Sequence, residues 1–210
     1  IPGKSRPEEV IALGAHFDSV NQSFFGSKKA PGADDDGSGS GNLIEAAKIL
    51  KSTPQPQRTL EFYWYAAEES GLLGSAEIAK EAKAQGKKVI AVLQLDMTLY
   101  PGSGEQVIGM VNDFTSPWLR DILLQINQLY VKAKILNDEC GYGCSDHASW
   151  HRQGFHAVTP FEAVTKTMNS AIHSERDVIN SSSSFEHSNS FTKYAVLFAL
   201  VLGNSDLRPD

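Results

Sequence analysis

The sequence predicts an α/β protein in which a mainly parallel sheet has helices on both faces, forming three layers. Apolar segments of strand length alternate with segments of helical periodicity along the whole chain, as is typical of parallel strands joined by helices. Most strand candidates are apolar at every position, as strands covered on both faces must be. No repeat or change of composition divides the 210 residues. We therefore expect a single domain over residues 1–210.

Strands and helices can be assigned along the chain. The strand candidates are residues 10–15, 60–66, 89–95, 106–111 and 156–161. The helix candidates are residues 38–51, 72–85, 117–132 and 190–202. Pro54 stops the first helix, Ser70 is a candidate cap for the second, and Gly86 ends that helix. Ser116-Pro117 begins the third helix, whose apolar residues recur every three or four positions.

Two irregular stretches, residues 19–36 and 164–184, interrupt this pattern. The first is rich in Gly, Ser and Asn, and the second ends in a run of serines. We expect both to be long loops at one rim of a single sheet, which is where functional residues concentrate.

Composition excludes two classes of partner. The 25 acidic and 19 basic residues give a net charge of −6, which offers no basic surface to nucleic acid or anionic lipid. The longest apolar run, residues 194–203, is too short to cross a membrane. The first residues contain no apolar signal core, so we expect that any secretion signal has been removed from this chain.

Two features predict a secreted, extracellular protein. Cys140 and Cys144 lie four positions apart with two glycines between them, which predicts a small disulfide loop and leaves free thiols as the alternative. Asn21 and Asn180 each begin an Asn-x-Ser glycosylation pattern. Disulfides and glycans both belong to the extracellular compartment.

Histidine and carboxylate side chains follow the ends of the first three predicted strands. They are His16, Asp18, Glu68, Glu69 and Asp96. An aspartate run, residues 34–36, ends directly before the first predicted helix. In open α/β sheets, ligands bind at the carboxyl ends of the strands. Imidazole and carboxylate groups without thiolates suit zinc, or another divalent transition metal, in a catalytic site.

Each of these groups also has a structural interpretation. The aspartate run could form an acidic turn and a helix cap, and Glu68-Glu69 could be a solvated first helical turn. Asp96 does not fit such an interpretation, because a carboxylate at the end of an apolar strand needs a cation or several donors. Asp18 lies two residues after His16 in a strand, so its carboxylate can hold the second ring nitrogen of His16 and fix the tautomer.

The other histidines are less informative. His147 and His151 are one helical turn apart, which fits either a ligand pair or one face of a helix. His173 lies in the second long loop, at the same rim as the strand ends. We treat His156 and His187 as structural or exposed.

The chemistry-bearing segments form six motifs in a fixed order. They are Ala-His-Phe-Asp-Ser at 15–19, Pro-Gly-Ala-Asp-Asp-Asp-Gly-Ser-Gly at 31–39, Ala-Ala-Glu-Glu-Ser-Gly-Leu-Leu-Gly-Ser at 66–75, Gln-Leu-Asp-Met at 94–97, Cys-Gly-Tyr-Gly-Cys-Ser-Asp-His-Ala-Ser-Trp at 140–150 and Ile-His-Ser at 172–174. In that order they resemble the secreted two-zinc leucyl aminopeptidases of peptidase family M28, particularly the fungal and Vibrio-type enzymes. The resemblance runs from the first strand to the last helix.

The resemblance implies two zinc ions and a role for each matching residue. The implied ligands are His16 and Asp96 for one zinc, Glu69 and His173 for the other, and Asp35 as the bridge between them. Glu68 matches the general base, and Tyr142 matches the group that reaches the reacting carbonyl. Cys140 and Cys144 match a disulfide, whereas the histidines at 147 and 151 match positions that hold no metal.

The implied reaction removes the first residue from peptides with a free N-terminus. A water shared by two zinc ions would give hydroxide near neutral pH, and Glu68 would carry its proton to the leaving amine. The residues next to the implied ligands supply no charge, so an apolar, leucine-like first residue should be preferred; they are Met97, Tyr142, Phe161 and Ile172.

Two other functions remain open. A glutaminyl cyclase resembles this fold but uses one zinc and catalyses an acyl transfer within its substrate. A non-catalytic ectodomain of the same fold would serve as a receptor or scaffold. Family members also carry a segment before the first strand that this chain lacks. We therefore expect an open edge strand and apolar faces, unless another polypeptide, such as the missing segment, covers them.

Overall fold

The computed structural model describes residues 1–208, and it has the predicted α/β fold with a mainly parallel sheet. The strands are β1 (Arg6–His16), β2 (Arg58–Tyr65), β3 (Lys88–Gln94), β4 (Val107–Val111), β5 (Lys134–Asp138), β6 (Ala157–Val158) and β7 (Pro160–Phe161). The helices are α1 (Gly37–Lys51), α2 (Leu73–Ala84), α3 (Pro117–Ile126), α4 (His147–Arg152) and α5 (Phe185–Asn204), and a π-helical turn, Asn127–Val131, follows α3. Within residues 1–208, no helix has both the length and the apolar content that a membrane crossing requires.

β1 lies inside a parallel four-stranded sheet with the order β2-β1-β3-β6. His16 pairs with Tyr65 of β2, and Gly14 pairs with Gln94 of β3. The carboxyl ends of the three strands therefore lie side by side, as ligand groups at one edge of the sheet require.

The expectation of a single sheet is wrong for the described residues. A second sheet has the order β5-β4-β7, with β4 and β5 parallel and β4 and β7 antiparallel. The predicted strand at 156–161 divides at Thr159 into β6, in the first sheet, and β7, in the second. Pro160 has no N–H to continue a parallel ladder, so the chain changes partner at this point.

Alternate residues of β1 pack on opposite faces of the first sheet. Ile11 and Leu13 belong to the larger core, which α1, α3 and α5 cover. Val10 and Ala12 belong to the smaller core, which α2 and α4 cover. Their relative exposures are 3% or less. The apolar character of both faces therefore reflects burial under helices on each side.

α1, α2, α3 and α5 correspond to the predicted helices, with corrections to their ends. α3 ends at Ile126 and the π-helical turn completes its predicted span, whereas α4 was not among the predicted helices. α1 and α2 agree within one residue at each end. Ser70 does not cap α2, because the N-cap is Leu72 in a left-handed conformation (φ 61°) without a side-chain cap. α5 begins at Phe185 rather than at residue 190, and its N-cap Ser184 accepts a hydrogen bond from the N–H of His187.

The outer edge of β2 is open over part of its length. Ile1 and Leu60 exchange two backbone hydrogen bonds of 2.8 and 2.9 Å at its beginning. Among residues 1–208, no strand pairs with this edge, and Trp64 near its end is 36% exposed. β2 is therefore an edge strand in the described part of the chain.

Candidate metal centre

The carboxyl ends of the central strands and two long loops bring five metal-ligand side chains together. His16 is the last residue of β1, and Asp96 follows β3 by two positions. Glu69 lies in the turn between β2 and α2, Asp35 lies in the loop before α1, and His173 lies in the loop before α5. All except His16 line a cavity of about 340 Å³. His16 is fully buried behind it.

These side chains form two groups that share Asp35. His16 Nε2 lies 3.1 Å from Asp35 Oδ1 and 3.6 Å from Asp96 Oδ1. His173 Nε2 lies 3.0 Å from Asp35 Oδ2 and 3.1 Å from Glu69 Oε2. Asp35 thus directs one carboxylate oxygen to each group, which is the arrangement a bridging ligand requires.

The donor atoms fit zinc. Zinc holds nitrogen and oxygen ligands at about 2.0–2.2 Å, so two ligands of a tetrahedral ion stand about 3.3–3.6 Å apart, which is close to the spacings within each group. His16 Nε2 and Glu69 Oε1 are buried and have no hydrogen-bond partner among residues 1–208. Buried polar atoms without partners are costly, and a cation between them would offset that cost.

The electrostatics of the two groups favour bound positive charge. Burial alone would raise the pKa of the Asp35 carboxyl, but the imidazoles of His16 and His173 lower it to about 2. The carboxylates of Asp35 and Glu69 raise the pKa of His173 to about 10. Burial opposes the protonation of His16, but Asp96 and Asp35 raise its pKa far above the usual value. Without a metal, the groups would hold protons instead.

Asp36 also lies within reach of His16 and Asp96, but its carboxylate is already engaged. Oδ1 accepts hydrogen bonds from the N–H of Gly39 at 2.9 Å and of Met97 at 3.2 Å. Oδ2 accepts from the N–H of His16 at 3.1 Å. Asp36 therefore caps α1 and ties it to the ends of β1 and β3, so Asp35 is the better candidate for the shared ligand.

Two residues that the sequence analysis did not single out hold candidate ligands in place. Asp177 Oδ1 accepts a hydrogen bond from the N–H of Asp34 at 3.0 Å, and Oδ2 accepts one from the N–H of Asp35 at 3.1 Å. Ser145 Oγ donates to Asp96 Oδ2 at 2.5 Å. The sequence could have indicated these two residues only by their position, since Asp177 follows the His173 motif and Ser145 follows Cys144.

Asp18 contacts the centre differently from the prediction. The Nδ1 atom of His16 lies 3.0 Å from the backbone carbonyl oxygen of Asp18, whereas the nearest Asp18 carboxylate oxygen is 3.6 Å away. The carboxylate instead accepts hydrogen bonds from the N–H groups of Glu68 and Glu69 at 3.1 and 3.2 Å. The chain turns after β1, which brings the carbonyl to the ring and frees the carboxylate to fix the glutamate turn.

Glu68 lines the same cavity as the ligand groups. Burial, followed by the charge of Asp96, raises the pKa of its carboxyl to about 9. A cation held by Asp35 and its neighbours would counter this effect. Glu69 contacts His173 and Glu68 does not, so the adjacent glutamates occupy different environments.

Tyr142 reaches the cavity from a loop closed by the Cys140–Cys144 disulfide. The disulfide prediction is confirmed. The N–H groups of Cys140 and Gly141 donate to Asp113 Oδ2 at 2.5 and 3.1 Å, which fixes the loop to the chain after β4. Burial, followed by the charge of Glu68, raises the pKa of Tyr142. Its hydroxyl therefore remains protonated, as a hydrogen-bond donor must.

The residues predicted to contact the substrate side chain lie at this cavity. Met97, Phe161 and Ile172 all line it, together with Val111 and Met168. No Lys or Arg belongs to its lining in the described chain. The apolar part of the cavity therefore suits an uncharged side chain.

The remaining histidines lie outside both groups. His147 is buried, its Nε2 lies 3.1 Å from the carbonyl oxygen of Asp113, and burial lowers its pKa to about 4. The ring of His151 packs edge-on against Phe114. His156 Nδ1 lies 3.0 Å from Ser116 Oγ, and buried His187 Nε2 lies 2.9 Å from the carbonyl oxygen of Glu162.

Comparison with known proteins identifies relatives of this chain. The model of Peptidase family M28 matches residues 1–196. A probable leucine aminopeptidase of Arthroderma benhamiae is 45% identical over 184 residues, which are 85% of this chain and 50% of that protein. The chain spans about half the length of the relatives it matches.

Solved structures agree in fold. The LapA aminopeptidase of Legionella pneumophila is 37% identical and superposes with a TM-score of 0.86, over 93% of this chain and 52% of that chain. BSAP, a zinc aminopeptidase from Bacillus subtilis, is 24% identical with a TM-score of 0.78, over 95% of this chain and 48% of that chain. At 24% identity, the similarity to BSAP supports a shared fold alone.

Proposed function

Because this chain belongs to peptidase family M28, we propose that it forms the catalytic part of a metallo-aminopeptidase. The observation that carries the proposal is the position of Asp35, whose two carboxylate oxygens face two separate nitrogen and oxygen ligand groups. The related probable leucine aminopeptidases and LapA support the same activity.

Two zinc ions are the proposed cofactors. His16 and Asp96 would hold one ion, Glu69 and His173 the other, and Asp35 would bind both. Bound there, the ions would supply Lewis acidity toward a peptide carbonyl and an attacking water. The assignment is supported by His16 Nε2 and Glu69 Oε1, which have no hydrogen-bond partner in the described part of the chain.

The protein groups would divide the remaining chemistry. Glu68 would take a proton from the attacking water and return it to the leaving amine. The Tyr142 hydroxyl would donate a hydrogen bond to the oxygen of the carbonyl as negative charge develops there. The apolar lining formed by Met97, Phe161 and Ile172 would hold the side chain of the first residue.

We propose that the substrates are peptides with a free N-terminus and an apolar, leucine-like first residue. The test is kcat/KM of the zinc-loaded chain across a series of aminoacyl amides, combined with metal analysis. Leucyl amide should rank above lysyl and glutamyl amides, and about two zinc ions should bind per chain. Preference for a charged first residue would reject the apolar pocket. A single zinc would favour the cyclase chemistry.

The protein is also proposed to act outside the cell. The Cys140–Cys144 disulfide supports this location, because disulfides persist in oxidising compartments. Asn180 lies in an exposed loop and is the more accessible of the two glycosylation patterns. The carboxamide of Asn21 already donates to the carbonyls of Ser27 and Lys29.

A further inference from the structure

The loop at residues 19–30 carries the two most exposed large apolar side chains of residues 1–208. Phe24 and Phe25 are 92% and 91% exposed. Adjacent phenyl rings in water are unfavourable, and exposed apolar patches commonly mark a binding surface. We name residues 19–30 the aromatic loop.

The aromatic loop adjoins the catalytic cavity. Gln22 lines that cavity, and its N–H donates a hydrogen bond of 2.9 Å to the carbonyl of His173. Phe24 follows Gln22 by two positions, so their Cα atoms lie within about 7 Å of each other. The part of the loop that carries the exposed rings therefore lies next to the rim of the cavity.

Internal hydrogen bonds hold the aromatic loop in this shape. Ser19 Oγ donates to the carbonyl of Ala30 at 2.8 Å. Asn21 Nδ2 donates to the carbonyls of Ser27 and Lys29 at 3.1 and 2.6 Å. Aromatic side chains on a pre-ordered loop lose little conformational entropy when they bind a ligand.

We infer that Phe24 and Phe25 determine specificity for the second residue of the peptide substrate, favouring large apolar residues there. This inference rests on the proposed function. An aminopeptidase holds the first side chain in the cavity, so the rest of the peptide leaves over the rim. An extended peptide advances about 3.3 Å per residue, which brings the second and third residues within reach of the phenyl rings.

The test compares two tripeptides that differ only at the second position. The zinc-loaded chain should cleave Leu-Phe-Gly with a kcat/KM about tenfold above that for Leu-Gly-Gly, as an aromatic contact with its buried area predicts. The Phe24→Ser/Phe25→Ser double variant should reduce this ratio to about two or less, mainly by raising KM for Leu-Phe-Gly. Because the ratio is taken within one preparation, partial loss of folded protein does not alter it.

A matched control replaces two exposed residues that do not line the cavity. Leu129 and Tyr130 are 64% and 57% exposed in the π-helical turn, and the Leu129→Ser/Tyr130→Ser variant should keep the full ratio. A wild-type ratio near one, or an unchanged ratio in the Phe24/Phe25 variant, overturns this inference alone. A chain that cleaves neither tripeptide overturns the proposed function and this inference with it.

Discussion

The two adjacent glutamates are the same residue type with different surroundings. Glu69 Oε2 lies 3.1 Å from His173 Nε2, within a ligand group. Glu68 lines the cavity outside both ligand groups. The N–H groups of both glutamates donate hydrogen bonds to the Asp18 carboxylate, which holds both residues in place. A base and a ligand can therefore stand next to each other in the chain.

This division of roles predicts different outcomes for two matched variants. Glu68→Gln keeps the shape of the side chain but removes its basicity, so kcat for leucyl amide should fall by at least ~100-fold while both zinc ions stay bound. Glu69→Gln should instead lose zinc from the His173 group. Steady-state kinetics and metal analysis on the same samples measure both effects. Zinc loss from the Glu68 variant, with zinc retained in the Glu69 variant, would reverse the assignment.

The raised pKa values predict how stability depends on pH when zinc is removed. The pKa of His173 is raised from 6.5 to about 10 in the folded chain, so the folded chain binds this proton more tightly than the unfolded chain does. The resulting stabilisation is complete below pH 6.5 and is lost as the pH rises through 10. Glu68, whose pKa is raised to about 9, acts in the same direction.

The melting temperature of the chelated chain should therefore fall as the pH rises from 6.5 to about 10. The His173→Gln substitution should reduce this fall. Zinc should also reduce it, because the ligands then bind metal in place of protons. A melting temperature that stays level or rises over this range in the chelated chain would contradict the electrostatic account.

The candidate site could be identified from the sequence because ligands in open α/β sheets bind at the carboxyl ends of the strands. This rule depends on topology rather than on side-chain detail. His16 and Asp96 could be located by it, since each follows an apolar strand. The carboxylate contacts of Asp18 and Asp177 could not be foreseen, because they depend on loop conformation. Asp177 contacts residues more than 140 positions away, and no local pattern specifies such a contact.

At the scale of secondary structure, the first turn of α1 joins three parts of the molecule. Asp36 caps this helix and also accepts hydrogen bonds from the N–H groups of His16 and Met97. Asp36→Ala would leave three buried donors without partners, so we expect a loss of about 2–4 kcal/mol in the free energy of unfolding. Urea unfolding of the chelated chain measures this loss without a contribution from zinc.

Asp121→Ala is the control for Asp36→Ala, because Asp121 is exposed on α3. Its effect should be less than about 0.5 kcal/mol. Equal stability losses in the two variants would show that the Asp36 contacts do not stabilise the fold.

Elements with an apolar stripe or a clear end signal were predictable, whereas a polar edge strand and a polar helix start were not. α1 agrees with prediction because Leu43, Ala46 and Leu50 form a buried stripe. α2 buries only Ser75, Ala79 and Ala82, but Gly86 marks its end. β5 was missed because it is a partly exposed edge strand with only two apolar residues, Ile135 and Leu136. The start of α5 was missed because polar residues such as Glu186 and Asn189 occupy its first turns. In β5 and in the first turns of α5, which residues are buried depends on tertiary contacts rather than on the local sequence pattern.

At the scale of the whole molecule, the candidate metal centre joins five separate segments. They are the end of β1, the loop before α1, the turn after β2, the chain after β3 and the loop before α5. The groups concentrate carboxylates at one end of the sheet, where mutual repulsion opposes folding unless cations are bound. Among residues 1–208, no strand pairs with the outer edge of β2 to offset this repulsion.

Zinc should therefore raise the melting temperature of this chain substantially. Each zinc ion that is present at about 1,000 times its Kd, and is bound only by the folded state, contributes about 4 kcal/mol, which corresponds to about 8–16 °C per ion for a protein of this size. Calorimetry before and after exhaustive chelation, followed by zinc restoration, measures the shift. His173→Ala should keep about half of it, because His16, Asp96 and Asp35 can still hold one ion. A melting temperature that chelation leaves unchanged would mean that the apolar cores alone stabilise the fold against the repulsion among these carboxylates.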